Sequence, residues 1–441
     1  MVSRIPKVLH PLGGRPILSY VLATAFQLKP KKVTVIVGQD ERIRGRIMEE
    51  YAKIKNLELV RQAKPLGTAH ALGSAKKELD GVSTVLVLPG DVPLLSKDTL
   101  EELLAFHLRE HAKGTCLSAR LANPAGYGRV VRGPANNFLK IAEEKDAGLR
   151  ELQIHEVNSG VYAFEKDALF TALSHIQPLN AKKEYYLTDV FEIMRNQGHR
   201  TAAWMCSSSE EVLGINTRVD LARAENVLQR WTLETLMLEG VTIPVPQSVC
   251  IDPGVRIGED TIIYPGTILK GKTVVGRNCQ IGPEVYIEDS TFGANVRACY
   301  SYARMITVAD FVTIGPYAHL RPGTHVGERV KIGNFTEIKE STVGEDSKVP
   351  HLAYVGDADI GPRCNIGAGT ITCNFDGVRK NKTVIEGDTF VGSNVNLIAP
   401  IRIGKNALVA AGSTITRDVP PNTLAIARSF QIHKRRNHEN N

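Results

Sequence analysis

Between Val249 and Arg417 an aliphatic residue returns at every sixth position. Ile251, Ile257, Ile263, Leu269, Val275, Ile281 and Ile287 keep one register. Ile314, Leu320, Val326, Ile332 and Ile338 keep a second, and Ile385, Val391, Leu397, Ile403, Val409 and Ile415 a third. This spacing matches neither the roughly 3.6-residue period of a helix nor the two-residue period of a strand. It predicts short strands joined by corners, with one residue per hexad pointing at a common axis. Three such faces close a coil of about 18 residues, and about nine coils stacked ~4.8 Å apart make a prism roughly 45 Å long. Gly often follows the aliphatic residue, as at Gly258, Gly276, Gly333 and Gly392, and is expected to relieve the tight corner.

The register slips twice, by three residues between Ile287 and Ile314 and by one between Thr372 and Ile385. Each slip is expected to leave the coil as a loop, where binding residues collect on a rigid solenoid. The pattern resembles the hexapeptide-repeat left-handed β-helix; the hand comes from the resemblance.

Residues 1–216 read differently. KKVTVIVG (31–38), STVLVLPGD (83–91), TCLSARL (115–121), EVNSGVYAF (156–164) and TAAWM (201–205) predict strands. Residues 98–111 predict a helix with Leu100, Leu103, Leu104 and Leu108 on one face. The alternation predicts an α/β, Rossmann-like domain with a mostly parallel sheet and ligands at strand C-termini. Thr217 and Asp220 resemble a capping box opening a linker helix over 217–240, stopped by Gly240. The solenoid is expected over 241–428 and a basic tail over 429–441.

Composition narrows the class. Apolar residues make up 43% and charged residues 23% of the chain, as in ordinary globular proteins. No apolar run is long enough for a membrane span. Seven scattered cysteines without a CxxC pair point away from disulfides and zinc and toward a reducing, cytoplasmic setting. A net charge of +7 suits anionic small substrates. No aromatic platform interleaves with the basic residues, so no nucleic-acid partner is expected.

Several stretches carry candidate chemistry. Asp91 ends a buried strand, where a carboxylate can hold Mg²⁺ against phosphates or simply cap a turn. QAKPLGTAHA (62–71) is a Gly/Thr turn entering a helix, where backbone N–H groups can meet an anion. His351 and Tyr354 sit in HLAYVGDA beside GAGTITCNFDG, with Arg321, Lys339, Lys380 and Lys382 near the same breaks. A histidine base beside anion-binding cations is what acyl transfer to the amine of a phosphorylated substrate requires.

Taken together, SRIPKVLHPLGGRP, QAKPLGTAHA, LPGDVPLL, GYGRVVR, IAEEKDA, EVNSG, LGIN, YAHLRPGT, NFTEIKES, HLAYVGDA, NIGAGTITCNFDG, VGSN, AAGSTITRDVP and AIAR cover nearly the whole chain. They resemble the bifunctional N-acetylglucosamine-1-phosphate uridylyltransferase and glucosamine-1-phosphate acetyltransferase family. The resemblance implies a nucleotidyltransferase-like first domain and two reactions. Acetyl passes from acetyl-CoA to glucosamine-1-phosphate, and the product is then joined to UTP with Mg²⁺. It implies His351 as general base and Arg321, Lys339, Tyr354, Asn365 and Lys380 as sugar-phosphate contacts. Asn374, Ser393, Ala411 and Arg428 would lie along acetyl-CoA. Lys7, Gln62, Gly67, Thr68, Asp91, Gly128, Glu143, Asn158 and Asn216 would meet the nucleotide and sugar, with Asp91 and Asn216 on the metal. It also implies a homotrimer.

One departure matters. The family carries a strand and a loop of the form LAAGxGTRM just before the S-x-x-PKVLH string, and here Met1 stands at that loop's Met. The loop cradles nucleotide phosphates and its Arg stabilises charge in the transfer. The alternative expectation is therefore acetyl transfer alone, with uridylyl transfer restored by an upstream in-frame segment carrying the loop. Smaller departures are Phe375 for a common Tyr, Ala69 for a common Gly, and Ala353 for a common Ser or Thr.

Overall fold

The computed structural model describes residues 1–178, 180 and 183–435. Of the basic tail expected over 429–441, residues 436–441 lie outside the described residues. The chain divides into two compact units between Leu228 and Gln229, within the helix Arg218–Leu238.

The first unit is built on a six-stranded sheet. Thr201–Met205, Gly114–Arg120, Glu156–Glu165, Arg129–Arg132 and Phe138–Ala142 lie side by side in that order, and Thr84–Val87 also pairs with Glu156–Glu165. Thr201–Met205 runs parallel to Gly114–Arg120. The remaining pairings in this sheet are antiparallel. Val33–Val37 and Leu57–Arg61 form a separate parallel pair. The expected mostly parallel sheet is thus corrected. The expected strands are present, but a strand buried on both faces is a continuous apolar run whichever way it points, so periodicity carries no direction. The helix expected over 98–111 spans Lys97–Arg109, with Ser96 accepting from the Thr99 N–H as its cap. Leu100 and Leu103 are buried, whereas Leu108 is exposed.

The Thr217/Asp220 capping box forms. The Asp220 N–H donates to Thr217 Oγ1 at 3.1 Å, and the Thr217 N–H donates to Asp220 Oδ2 at 2.8 Å.

The second unit is a three-sided parallel β-helix with sheets of ten, nine and ten short strands. Successive coils are in register, Ile251 opposite Leu269 and Ile263 opposite Ile281. All the aliphatic residues of the three hexad registers are buried in one continuous core. The slip between Ile287 and Ile314 leaves no loop. Phe292, Ala298, Ala303 and Val308 fill the core there, so the coil absorbs the slip in five-residue steps. Aromatic and small residues in aliphatic places hid that register. The second slip does leave the coil. Residues 374–382 form a loop between Ile371–Cys373 and Thr383–Ile385. Its own carboxylate ties it down, since Asp376 accepts from the Val378 and Arg379 N–H groups and from Asn381 Nδ2. These bonds hold the Asp376 pKa down at about 2, the Arg379 N–H contributing most.

Gly282 and Gly315 take the left-handed backbone expected of a corner glycine, but Gly258, Gly276, Gly333 and Gly392 do a different job. The left-handed backbone at the corners falls on residues such as Asp260, Asn278 and Asn295, with φ near 60°. At Gly276 a Cβ would lie 2.5 Å from the Gly293 carbonyl oxygen of the next coil. Close approach between coils, rather than the turn, excludes a side chain there.

Candidate active sites

His351 ends the strand Lys348–His351 and is exposed. Its partner is Asn334, directly opposite on the preceding coil, whose Oδ1 meets His351 Nδ1. An amide oxygen only accepts, so Nδ1 carries the proton and Nε2 keeps a basic lone pair. The residue after His351 turns the corner, and so do those after Asn334, Ser393 and Ala411. These four therefore occupy equivalent places along one edge of the prism, with Ala368 between His351 and Ser393. The edge is stitched coil to coil: Gly369 N–H to Leu352 O at 3.2 Å, Asn394 N–H to Ala368 O at 2.7 Å, Gly412 N–H to Ser393 O at 2.8 Å. Arg428 Nη1 donates to the Ala411 carbonyl at 2.6 Å.

Around the corner from His351 lies a polar cluster. Tyr354 and Glu337 are opposite each other on adjacent coils, as are Lys339 and Gly356. A Cβ on Gly356 would lie 2.5 Å from the Tyr354 hydroxyl and 2.8 Å from Asn374 Nδ2, so Gly is needed for the two to converge. Asn374 Nδ2 donates to Asp357 Oδ2, and Lys339 Nζ lies 3.9 Å from the same oxygen. Arg321 Nη1 donates to Glu337 Oε1 at 2.7 Å. Lys380, on the 374–382 loop, is close enough to Lys339 to lower its pKa; burial adds to the effect and Asp357 opposes it. Two ammonium groups held together in this way suit a polyanion. Asn365 begins the next strand of the His351 sheet, opposite Lys348.

Asn374 thus groups with Tyr354 and Lys339 rather than with Ser393, Ala411 and Arg428. Sequence reading missed Asn334, Ala368, Glu337 and Asp357. Their signal was the coil register, with Asn334 in the place of His351 one coil earlier.

The first unit holds a second cluster. Lys7 Nζ donates to Asp91 Oδ2 and, at 3.0 Å, to Asn216 Oδ1. Asp91 follows the strand Thr84–Val87, and its carbonyl accepts from the Ile215 N–H at 2.9 Å, which fixes Asn216 beside it. A second group gathers around residues 185–188. Gly67, at φ +119°, caps the helix Thr68–Ser74 and accepts from Gln62 Nε2 at 3.3 Å. Thr68 Oγ1 accepts from the Leu187 N–H, and the Ala69 N–H goes to the Tyr185 carbonyl. Thr188 Oγ1 then donates to Glu143. Beside it, burial and the charges of Glu143, Glu192 and Asp146 push Asp189 up to about 6. Asn158 donates to the Tyr162 hydroxyl at 2.8 Å, and its own N–H goes to the Gly128 carbonyl.

Comparison with known proteins agrees with this division. The nucleotidyl transferase family matches residues 2–212, and the bacterial transferase hexapeptide family matches residues 254–296, 305–340 and 382–417. The bifunctional protein GlmU of Syntrophomonas wolfei is 45% identical over 98% of this chain and 96% of its own length. Those of a Geobacillus species and of Caldanaerobacter subterraneus are 46% and 47% identical, each over 98% of this chain and 94% of the relative. Among the described residues no helix is long and apolar enough to cross a membrane. The chain belongs to the GlmU family of bifunctional N-acetylglucosamine-1-phosphate uridylyltransferases and glucosamine-1-phosphate acetyltransferases.

Proposed function

We propose that the β-helical unit acetylates glucosamine-1-phosphate and that the first unit joins the product to UTP, releasing pyrophosphate and UDP-N-acetylglucosamine. The observation that carries the reading is His351, held by Asn334 on the same edge as Ser393 and Ala411 and around the corner from Lys339 and Lys380. His351 Nε2 takes a proton from the substrate ammonium. The freed amine attacks the thioester carbonyl; a C–N bond forms and the C–S bond breaks. The proton lost from the attacking nitrogen ends on sulfur, so the coenzyme leaves as the thiol while His351 returns its own proton to water. Arg321, Lys339 and Lys380, with Tyr354 and Asn365, hold the sugar phosphate. Ser393, Ala411 and Arg428 guide acetyl-CoA, with Asn374 closing the site from the loop side.

In the first unit Lys7, Gln62, Gly67, Thr68, Gly128, Glu143 and Asn158 meet the nucleotide and sugar. Asp91 and Asn216 would hold Mg²⁺. The fit rests on two oxygens already converging on one cationic ammonium, that of Lys7. Among the described residues no group of three or more His, Cys, Asp or Glu side chains is arranged to hold a metal ion. Two protein oxygens suit Mg²⁺, which completes its shell with water and substrate phosphate. Bound there, it would neutralise charge on the triphosphate.

The same edge supports the reading of a homotrimer. Tyr300, Tyr317, Phe335 and Leu352 stand there with 41, 55, 55 and 61% of their surface exposed, and the Tyr317 and Phe335 rings stack at 5.4 Å. Exposed aromatic runs of this kind mark subunit contacts. A cytoplasmic setting fits seven free thiols and a nucleoside triphosphate substrate. Incubation with glucosamine-1-phosphate, acetyl-CoA, UTP and Mg²⁺ tests the whole reading. Mass spectrometry should find N-acetylglucosamine-1-phosphate first and UDP-N-acetylglucosamine after it. Free glucosamine-1-phosphate left intact beside unreacted acetyl-CoA contradicts the proposal.

A further inference from the structure

We infer that Lys7 and a divalent cation compete for one position between Asp91 and Asn216, so that cation entry releases Lys7. The inference rests on the reading of Asp91 and Asn216 as cation ligands. The backbones that carry those two oxygens are held by their surroundings. The Asp91 carbonyl is bonded to the Ile215 N–H, and the Asn216 and Thr217 N–H groups both donate to Asp220 Oδ2 at 3.1 and 2.8 Å. The Lys7 backbone is also fixed, in a turn where the Leu9 N–H donates to Pro6 O and the His10 N–H to Lys7 O. The longest movable part is the four-carbon Lys7 stem, whose ammonium reaches across to Asp91 Oδ2 and to Asn216 Oδ1 at 3.0 Å. Lys7 is about one-third exposed, so the stem has room to swing. An ammonium and a divalent ion cannot share one carboxylate oxygen at contact distance without strong repulsion. The ammonium thus keeps the oxygens gathered and their charge balanced before a cation arrives. Once displaced, it remains on a short tether beside the site, where its charge meets phosphate oxygens.

Mn²⁺ alone, followed by electron paramagnetic resonance on the full chain, tests this. Lys7→Gln should bind Mn²⁺ at least about tenfold tighter than the wild type, because a charge-assisted competitor has gone. Lys7→Arg, which keeps the charge, should stay near the wild type, and Asp91→Asn should lose binding. Through-space repulsion alone would give a Lys7→Gln gain that disappears at 1 M salt, where the screening length is about 3 Å; exchange predicts that the gain persists. In parallel, acylation of Lys7 by a small activated ester, read by mass spectrometry, should quicken several-fold when Mg²⁺ is added. Equal Mn²⁺ affinity in the wild type and Lys7→Gln, with loss in Asp91→Asn, overturns the exchange and leaves the cation site standing. Mn²⁺ binding that survives Asp91→Asn, or that is missing from both the wild type and Lys7→Gln, overturns the site and the exchange together.

Discussion

His351 depends on one neighbour for its orientation. Asn334 holds Nδ1 and leaves Nε2 to act. His351→Ala should lower acetyl transfer by about 10²–10⁴ with the thermal unfolding curve unchanged. Asn334→Ala should cost less, act on kcat more than on KM, and change the pH profile, since it removes the group that selects the tautomer. His351 was readable as a candidate because it follows Pro350 in a polar stretch. Asn334 was not, because it lies 17 residues away, and only the coil register makes the two neighbours. Asp189 offers a test in the other unit. Its pKa is raised to about 6 by burial and by Glu143, Glu192 and Asp146. The native state therefore binds its proton more tightly than the unfolded chain does, and stability falls as pH rises from about 4 to 6. Asp189→Asn removes that loss. The variant should be more stable by about 1 kcal/mol at pH 7.5, a value discounted for partial exposure, and no more stable near pH 4. Paired thermal melts at the two pH values check the sign.

At the scale of elements, glycine provides a sharp contrast. In the helix Glu41–Tyr51 a Cβ on Gly45 would meet nothing within 4 Å. Gly45→Ala should stabilise the first unit by about 0.5–1 kcal/mol through helix propensity. Gly276→Ala forces a Cβ against the next coil and should destabilise the solenoid by about 1–3 kcal/mol, read by denaturant unfolding. The solenoid was legible because each hexad repeats one environment, so a single period exposed its core. The shortened steps to Phe292, Ala303 and Val308 were not, since volume rather than aliphatic character decides what fits the axis. The 374–382 loop was legible as a slip, but its anchoring through Asp376 was not. Asp376→Ala should loosen the loop carrying Lys380 and raise KM for the sugar phosphate more than for acetyl-CoA. Equal changes in both would remove the loop from the phosphate site.

At the scale of the molecule, the two units have separate cores and separate polar clusters. The order of strands in the first unit could not be read, because pairing partners there lie far apart in the chain, as Thr84–Val87 does from Glu156–Glu165. Association belongs to this scale too. Sedimentation at micromolar concentration should give a trimer, and Tyr317→Glu with Phe335→Glu should dissociate it and reduce acetyl transfer. The central claim is that one chain carries two independent reactions in two units. It is tested most directly by measuring both reactions in His351→Ala and in Asp91→Asn. The account predicts that His351→Ala loses acetyl transfer while its uridylyl transfer equals that of the unaltered chain, and that Asp91→Asn does the reverse. A variant that loses both activities while still folded, or one that loses neither, would contradict it.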